Sequence, residues 1–222
     1  MHFDTAQDQI WPPLFLNLLE QNTVSDAAHD IQHIRRVVAN ARRLSEVENA
    51  NWLVVMPAAW LHDCVIVPKS SPDRKMASKL AAERAVAWLS EHHWPHGHLD
   101  EVAHAIAAHS FSGGIPPLTL EARVLQDADR LDALGAVGLA RTLMLGAEMK
   151  RDFYHPADPF CASREADDST YTLDHLYCKL LKLEHAMQTE SGRLEARRRS
   201  EFLCEFVKQL DSEIPVAIRG IC

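Results

Sequence analysis

The chain has 222 residues, of which 47% are apolar and 24% charged, and its formal net charge is −8. That length suits one large or two small domains with an ample core. The acidic balance argues against nucleic-acid polymers as the main partner, since these need a cationic face, but admits a small phosphorylated ligand in a local basic pocket. Five cysteines (Cys64, Cys161, Cys178, Cys204 and Cys222) form no C-x-x-C pair, which points to reduced thiols in a cytoplasmic protein. Met1 to Ile10 has no apolar core of the signal-peptide kind, and no apolar run approaches the roughly 20 residues that span a bilayer, so no membrane association is expected.

With only 8 glycines and recurrent Ala, Leu, Glu and Arg, the composition favours helix over strand. Ile10–Leu19 reads as a first helix with Pro12 and Pro13 in its opening turn. Ser25 or Asp26 can cap a second helix to about Val47, with Ile34, Val37, Val38, Ala41 and Leu44 as its apolar stripe. Pro57 can start a third, which Pro68 ends. A long helix is expected from about Asp73 to His93, with Ala77, Leu80, Ala81, Val86 and Leu89 inward. Another spans about Leu99 to Ser110, and the Phe111–Pro117 stretch is a loop. Thr119 caps a helix from Leu120 to about Gly146. Lys150–Thr170 has no period and reads as a long loop able to act as a lid. Helices near Tyr171–Gln188 and Leu194–Leu210 follow, and the tail beyond Glu213 reads as loose. The expected fold is all-α, one helical bundle domain over residues 1–222.

Trp60-Leu61-His62-Asp63-Cys64 places a histidine and an aspartate side by side in what reads as the middle of a buried helix. A carboxylate in apolar surroundings needs a cation, an ion pair or a hydrogen-bond network. Side chains about 100° apart on a helix can reach one ion, but two ligands do not close a divalent site. His33 lies next to the apolar stripe of the second helix and is a better inward candidate than His29; a half-buried histidine bonded to a backbone carbonyl is the plainer alternative. In Gln126-Asp127-Ala128-Asp129-Arg130-Leu131-Asp132, Asp129 and Asp132 point with the apolar face. A metal, or a buried salt bridge to Arg130 or Arg141, would satisfy them. Asp127, about 200° from Asp129, is expected to be solvated or paired with an arginine. His109 faces inward with Val102 and Ile106, whereas His104 falls on the opposite side.

His33, His62-Asp63 and Asp129, in that order, resemble the H…HD…D signature of the HD-domain metal-dependent phosphohydrolase superfamily. The flanks are similar to its bacterial YedJ/YpgQ-like subgroup: His29-Asp30-Ile31-Gln32-His33-Ile34-Arg35-Arg36-Val37, Ala107-Ala108-His109-Ser110-Phe111-Ser112, Gln126 through Gly135, and Lys179-Leu180-Leu181-Lys182-Leu183. The resemblance covers roughly residues 25 to 200. It implies a bundle core over about 25–140, with C-terminal helices over about 171–210 packed on it. It further implies one divalent ion (Mn, Mg, Ni, Co, Fe or Zn) held by His33, His62, Asp63 and Asp129.

The activity implied is hydrolysis of nucleotides, as a triphosphate pyrophosphohydrolase or a phosphatase, by metal-activated water. Some branches carry acids three or four positions after the HD pair, where this chain has Ile66 and Val67. That sets it apart from the ppGpp-hydrolase and 5′-nucleotidase branches. Asp63 and His109 are the expected catalytic residues, His109 protonating the leaving group or contacting phosphate. Lys69, Arg74, Arg130 and Lys179 are the expected phosphate-binding cations, each with a solvated surface charge as its alternative. A homodimer is compatible with the composition. The rival readings are a metal-binding sensor or scaffold without turnover, and an HD-fold di-iron oxygenase, which would need further His or Asp ligands.

Overall fold

The structure is a computed structural model of the chain and describes residues 7–21, 31–67, 71–94, 96–110 and 113–214. The Ser25/Asp26 cap, His29, Lys69 and the tail after Ile214 lie outside the described residues. The described residues form α1 (Gln7–Gln21), α2 (Ile31–Glu48), α3 (Trp52–Leu61), α4 (Ala77–Glu91), α5 (Leu99–His109), α6 (Leu120–Leu131), α7 (Gly135–Glu148), α8 (Asp174–Cys178) and α9 (Glu190–Glu213). Short 3-10 turns precede α4 and α5, and another covers Leu180–Ala186. No strand occurs among the described residues; a single bridge joins Asp152 to Tyr171. The fold is all-α, as the composition and periodicity predict.

The chain divides into two compact units, Met1–Asp129 with Gln188–Gly192, and Arg130–Met187 with Arg193–Cys222. In the first, α3 is the central element, packed against α1, α2, α4 and α5. Trp52 and every residue from Val54 to Leu61 are buried. A helix apolar on all sides has no solvent face to present and must sit inside. An aromatic cluster of Trp11, Phe15, Trp60, Trp88 and Trp94 closes one part of this core, with the Trp11 and Trp94 rings 4.6 Å apart edge to face.

Several boundaries differ from expectation. The third helix starts at Trp52, because the Asn51 side chain accepts the Leu53 N–H at 3.1 Å and caps it there; Pro57 falls inside. The helix ends at Leu61, so His62 and Asp63 stand at its C-terminal end and not in its middle. On α4 the inward face is Ala81, Ala82, Ala85, Trp88 and Leu89, and Leu80 is exposed. The helix expected over 120–146 is broken in two at Gly135, whose φ of +68 is a conformation other residues rarely adopt.

In the second unit, buried acids are matched to arginines. Asp174 is fully buried and accepts from Arg164 Nη2 at 2.7 Å and from the Asp167 N–H at 2.7 Å. Asp132 pairs with Arg141, one of the two outcomes the sequence allowed for it. The Lys150–Thr170 stretch is non-helical and is tied to α8 through Arg164.

Candidate metal centre

Four helices of the first unit deliver five side chains to one place. His33 is in the first turn of α2, His62 and Asp63 follow the last residue of α3, His109 ends α5, and Asp129 lies in α6. His33 Nε2 is 3.4 Å from Asp129 Oδ1, and His62 Nε2 is 3.9 Å from the same oxygen. His62 Nε2 is 3.5 Å from Asp63 Oδ2, and His109 Nε2 is 3.6 Å from Asp63 Oδ1. Two overlapping groups emerge, His33–His62–Asp129 and His62–Asp63–His109, each with its nearest donor atoms within 4.8 Å of one another. Donors about 2.1 Å from a shared ion lie roughly 3–4 Å apart, and the four histidine–carboxylate distances fall in that range.

The imidazoles are aimed by helix ends. The last carbonyls of a helix lack intrahelical partners. His62 Nδ1 lies 2.9 Å from the Ala59 carbonyl, and His109 Nδ1 lies 2.6 Å from the Ile106 carbonyl. A carbonyl only accepts, so Nδ1 carries the proton in both rings and Nε2 turns its lone pair toward the acids. His62 Nε2 is buried and has no hydrogen-bond partner. A buried acceptor left unpaired is costly, and a cation at this point satisfies it together with the facing carboxylates. Burial lowers the His62 pKa and so keeps its ring neutral, the form that ligates metals. Burial opposes charge on His109 too, but Asp63, by hydrogen bond and by charge, and Asp129 outweigh it and raise its pKa.

The helices are held in register by buried amides. Asn40 donates to the Ala128 carbonyl at 3.2 Å, tying α2 to α6 beside Asp129. Gln126 donates to the Ala108 carbonyl at 2.9 Å, tying α6 to the end of α5 beside His109. Neither amide was singled out in the sequence, because a polar residue on a helix carries no mark of which carbonyl it will meet.

The other candidates are distributed differently. Arg74 lies near Asp63, beside a small cavity that adjoins Asp63 and His109, and donates to the Val67 carbonyl at 2.8 Å. Arg130 and Lys179 belong to the second unit, where Arg130 donates to the Ala186 carbonyl and Lys179 is exposed. His104 is half-buried and accepts the Leu118 N–H. Asp127 departs from expectation: it is fully buried, and the Gln188 and Thr189 backbone N–H groups and the Thr189 hydroxyl donate to it at 2.7–2.8 Å. The side of α6 opposite Asp129 is covered by residues 188–192 and not by solvent, and no arginine is needed there.

Residues 30–134 match the HD domain family. The YpgQ protein of Bacillus subtilis (strain 168) is 32% identical over 197 residues, which cover 87% of this chain and 88% of that protein. A crystal structure of an HD-superfamily hydrolase from Bacillus thuringiensis is similar with a TM-score of 0.70 at 33% identity, over 90% of this chain and 93% of the other. Bacillus subtilis YpgQ in complex with ADP is similar with a TM-score of 0.66 at 32% identity, over 90% of this chain and 97% of the other.

Proposed function

The chain belongs to the HD-domain family, and on that premise we propose that it is a divalent-metal-dependent phosphohydrolase acting on nucleotides. The observation that carries the reading is His62 Nε2, buried, unpartnered and facing the Asp63 and Asp129 carboxylates. His33, His62, Asp63 and Asp129 would hold the ion. Two nitrogens and two carboxylates suit a borderline divalent transition metal and leave positions for water and a phosphate oxygen. The ion, when bound, supplies a nucleophilic water and polarises the phosphoryl group.

The chain's own groups do the rest. Asp63 turns one oxygen to His62 Nε2, 3.5 Å away, and the other to His109 Nε2, 3.6 Å away, so it stands between the two rings at the site. His109 Nε2 stands 3.6 Å from Asp63 Oδ1, the place from which it would pass a proton to the leaving oxygen once it has taken one up. Arg74 stands beside Asp63 and His109, where phosphate charge develops. A nucleotide is the favoured substrate class because ADP is the molecule found with the similar Bacillus subtilis protein.

The test is a hydrolysis screen on protein stripped of metal and reloaded with Mn²⁺, Mg²⁺, Co²⁺ or Ni²⁺. The substrates are nucleoside triphosphates, deoxynucleoside triphosphates, monophosphates and p-nitrophenyl phosphate, with phosphate and pyrophosphate measured separately. Pyrophosphate from a triphosphate, lost in His62→Ala, is the expected result. Stoichiometric metal without turnover on any substrate would instead favour the sensor reading.

A further inference from the structure

Two of the helices that bring side chains to the metal centre also carry a buried amide on the same face. Asn40 lies two helical turns after His33 on α2, and Gln126 one turn before Asp129 on α6. Gln126 is 4% exposed, and its Nε2 donates to the Ala108 carbonyl at 2.9 Å. Ala108 is itself fully buried and immediately precedes His109, the last residue of α5. The closing carbonyls of a helix have no N–H of their own helix to accept from. Where water is excluded such a carbonyl needs a donor from elsewhere, and Gln126 supplies one.

His109 is the group that this bond controls. Its ring is tied to its own helix, Nδ1 donating to the Ile106 carbonyl at 2.6 Å, so ring and last turn move together. Beyond His109 the chain leaves the helix at once, with Ser110 extended at φ −78 and ψ 128, so no further turn buttresses the ring. α5 packs chiefly against α3 and α4. Burial of its Val102, Ala105 and Ile106 is non-directional, whereas the bond from Gln126 fixes one point of its end. His109 Nε2 stands 3.6 Å from Asp63 Oδ1, at the outer edge of hydrogen-bonding distance, so a small shift of that end decides whether the two groups meet. The side chain at 126 must also be a donor. A glutamate of the same shape would set acceptor against acceptor.

The geometry points to Gln126 as a positioning residue that sets the His109 ring against Asp63 by holding the end of α5. The inference rests on the hydrolase reading for its kinetic arm. In Mn²⁺-loaded protein, Gln126→Met, which keeps the length and loses the donor, is expected to lower kcat about tenfold with KM within about twofold of the parent. Gln126→Asn, which keeps the amide but falls one methylene short, should do the same, and manganese content should match the parent in both. In a His109→Ala background neither change should lower kcat further, because the group it positions is gone. A purely structural amide lowers the melting temperature and leaves kcat alone. The second arm needs no turnover. The His109 ring signal, identified by its loss in His109→Ala, is followed by NMR in Mg²⁺-loaded protein. Gln126→Met should shift or split it, while the indole N–H signals of the five tryptophans stay in place. Parental kcat in both variants, an equal loss with and without His109, or an unmoved ring signal would overturn the positioning role. If the parent hydrolyses no substrate, the hydrolase reading falls, and the ring signal alone decides for or against Gln126.

Discussion

Asp127 and Asp129 sit two residues apart on one helix and have opposite environments. Asp127 is sealed from solvent and is met by donors, from two backbone N–H groups and a hydroxyl of the Gln188–Thr189 turn. Asp129 is met by the Nε2 atoms of His33 and His62, one of which has no hydrogen-bond partner at all. The first carboxylate is complete within the protein and works as a structural lock. The second faces the unpartnered His62 Nε2, a pair that a cation would complete. A buried acid is therefore not in itself the mark of a site. The mark is an acid beside a buried lone pair that no donor reaches, as His62 Nε2 is here.

The comparison breaks if the two regions respond alike to mutation. The largest effect is expected for His62→Ala, which should lower turnover by about 10³-fold or more. It should also abolish the stabilisation that metal confers on the parent, about 2.7 kcal/mol at a hundredfold excess over Kd. Thermal melts with and without metal check this. Asp127→Ala should do the reverse. Several buried donors lose their acceptor, so stability should fall by about 3 kcal/mol in denaturant unfolding, while the metal-dependent increment persists.

Gly192→Ala sharpens the point without touching a carboxylate. A Cβ at Gly192 would lie 2.4 Å from Asp127 Oδ2 and 2.7 Å from Thr189 Oγ1, so the lock must open to admit it. A loss of about 1–3 kcal/mol is expected, again with metal stoichiometry unchanged. The smallest effect belongs to Glu195, an acid of the second unit. Hydrogen bonds from Arg198, against the cost of partial burial, and then from Arg199 hold its pKa down at about 2. A depressed acid stabilises the fold above its ordinary titration range and loses that contribution as pH falls toward 2. Glu195→Gln should therefore cost a few tenths of a kcal/mol at neutral pH, the difference fading in acid. Matched unfolding curves at pH 7 and pH 3 check the sign.

What was legible follows from what is local. His33 and Asp129 could be placed on the apolar faces of their helices by a 3.6-residue period, and the inward orientation of His109 came from the same wheel, whereas their grouping with His62 and Asp63 came from the family resemblance. The boundaries were less legible. Asn51 outranks Pro57 as a start signal only because its side chain turns back to the Leu53 N–H, and Gly135 ends a helix that Leu, Ala and Arg would otherwise continue. Leu80 was assigned inward on hydrophobicity, but the bundle needs small residues there, and Ala81, Ala82 and Ala85 take the contact.

By itself, then, the sequence determined the helical class, the buried central helix and the residue types able to ligate a metal, because these depend on composition and on spacing within one element. Only the tertiary structure decided that Asp127 is a lock while Asp129 meets His33 and His62, and that Gln126 ties α6 to the end of α5 beside His109. Those roles depend on what a second segment, distant in the chain, brings opposite each side chain. A helical wheel orients a residue, but it does not name the partner it meets.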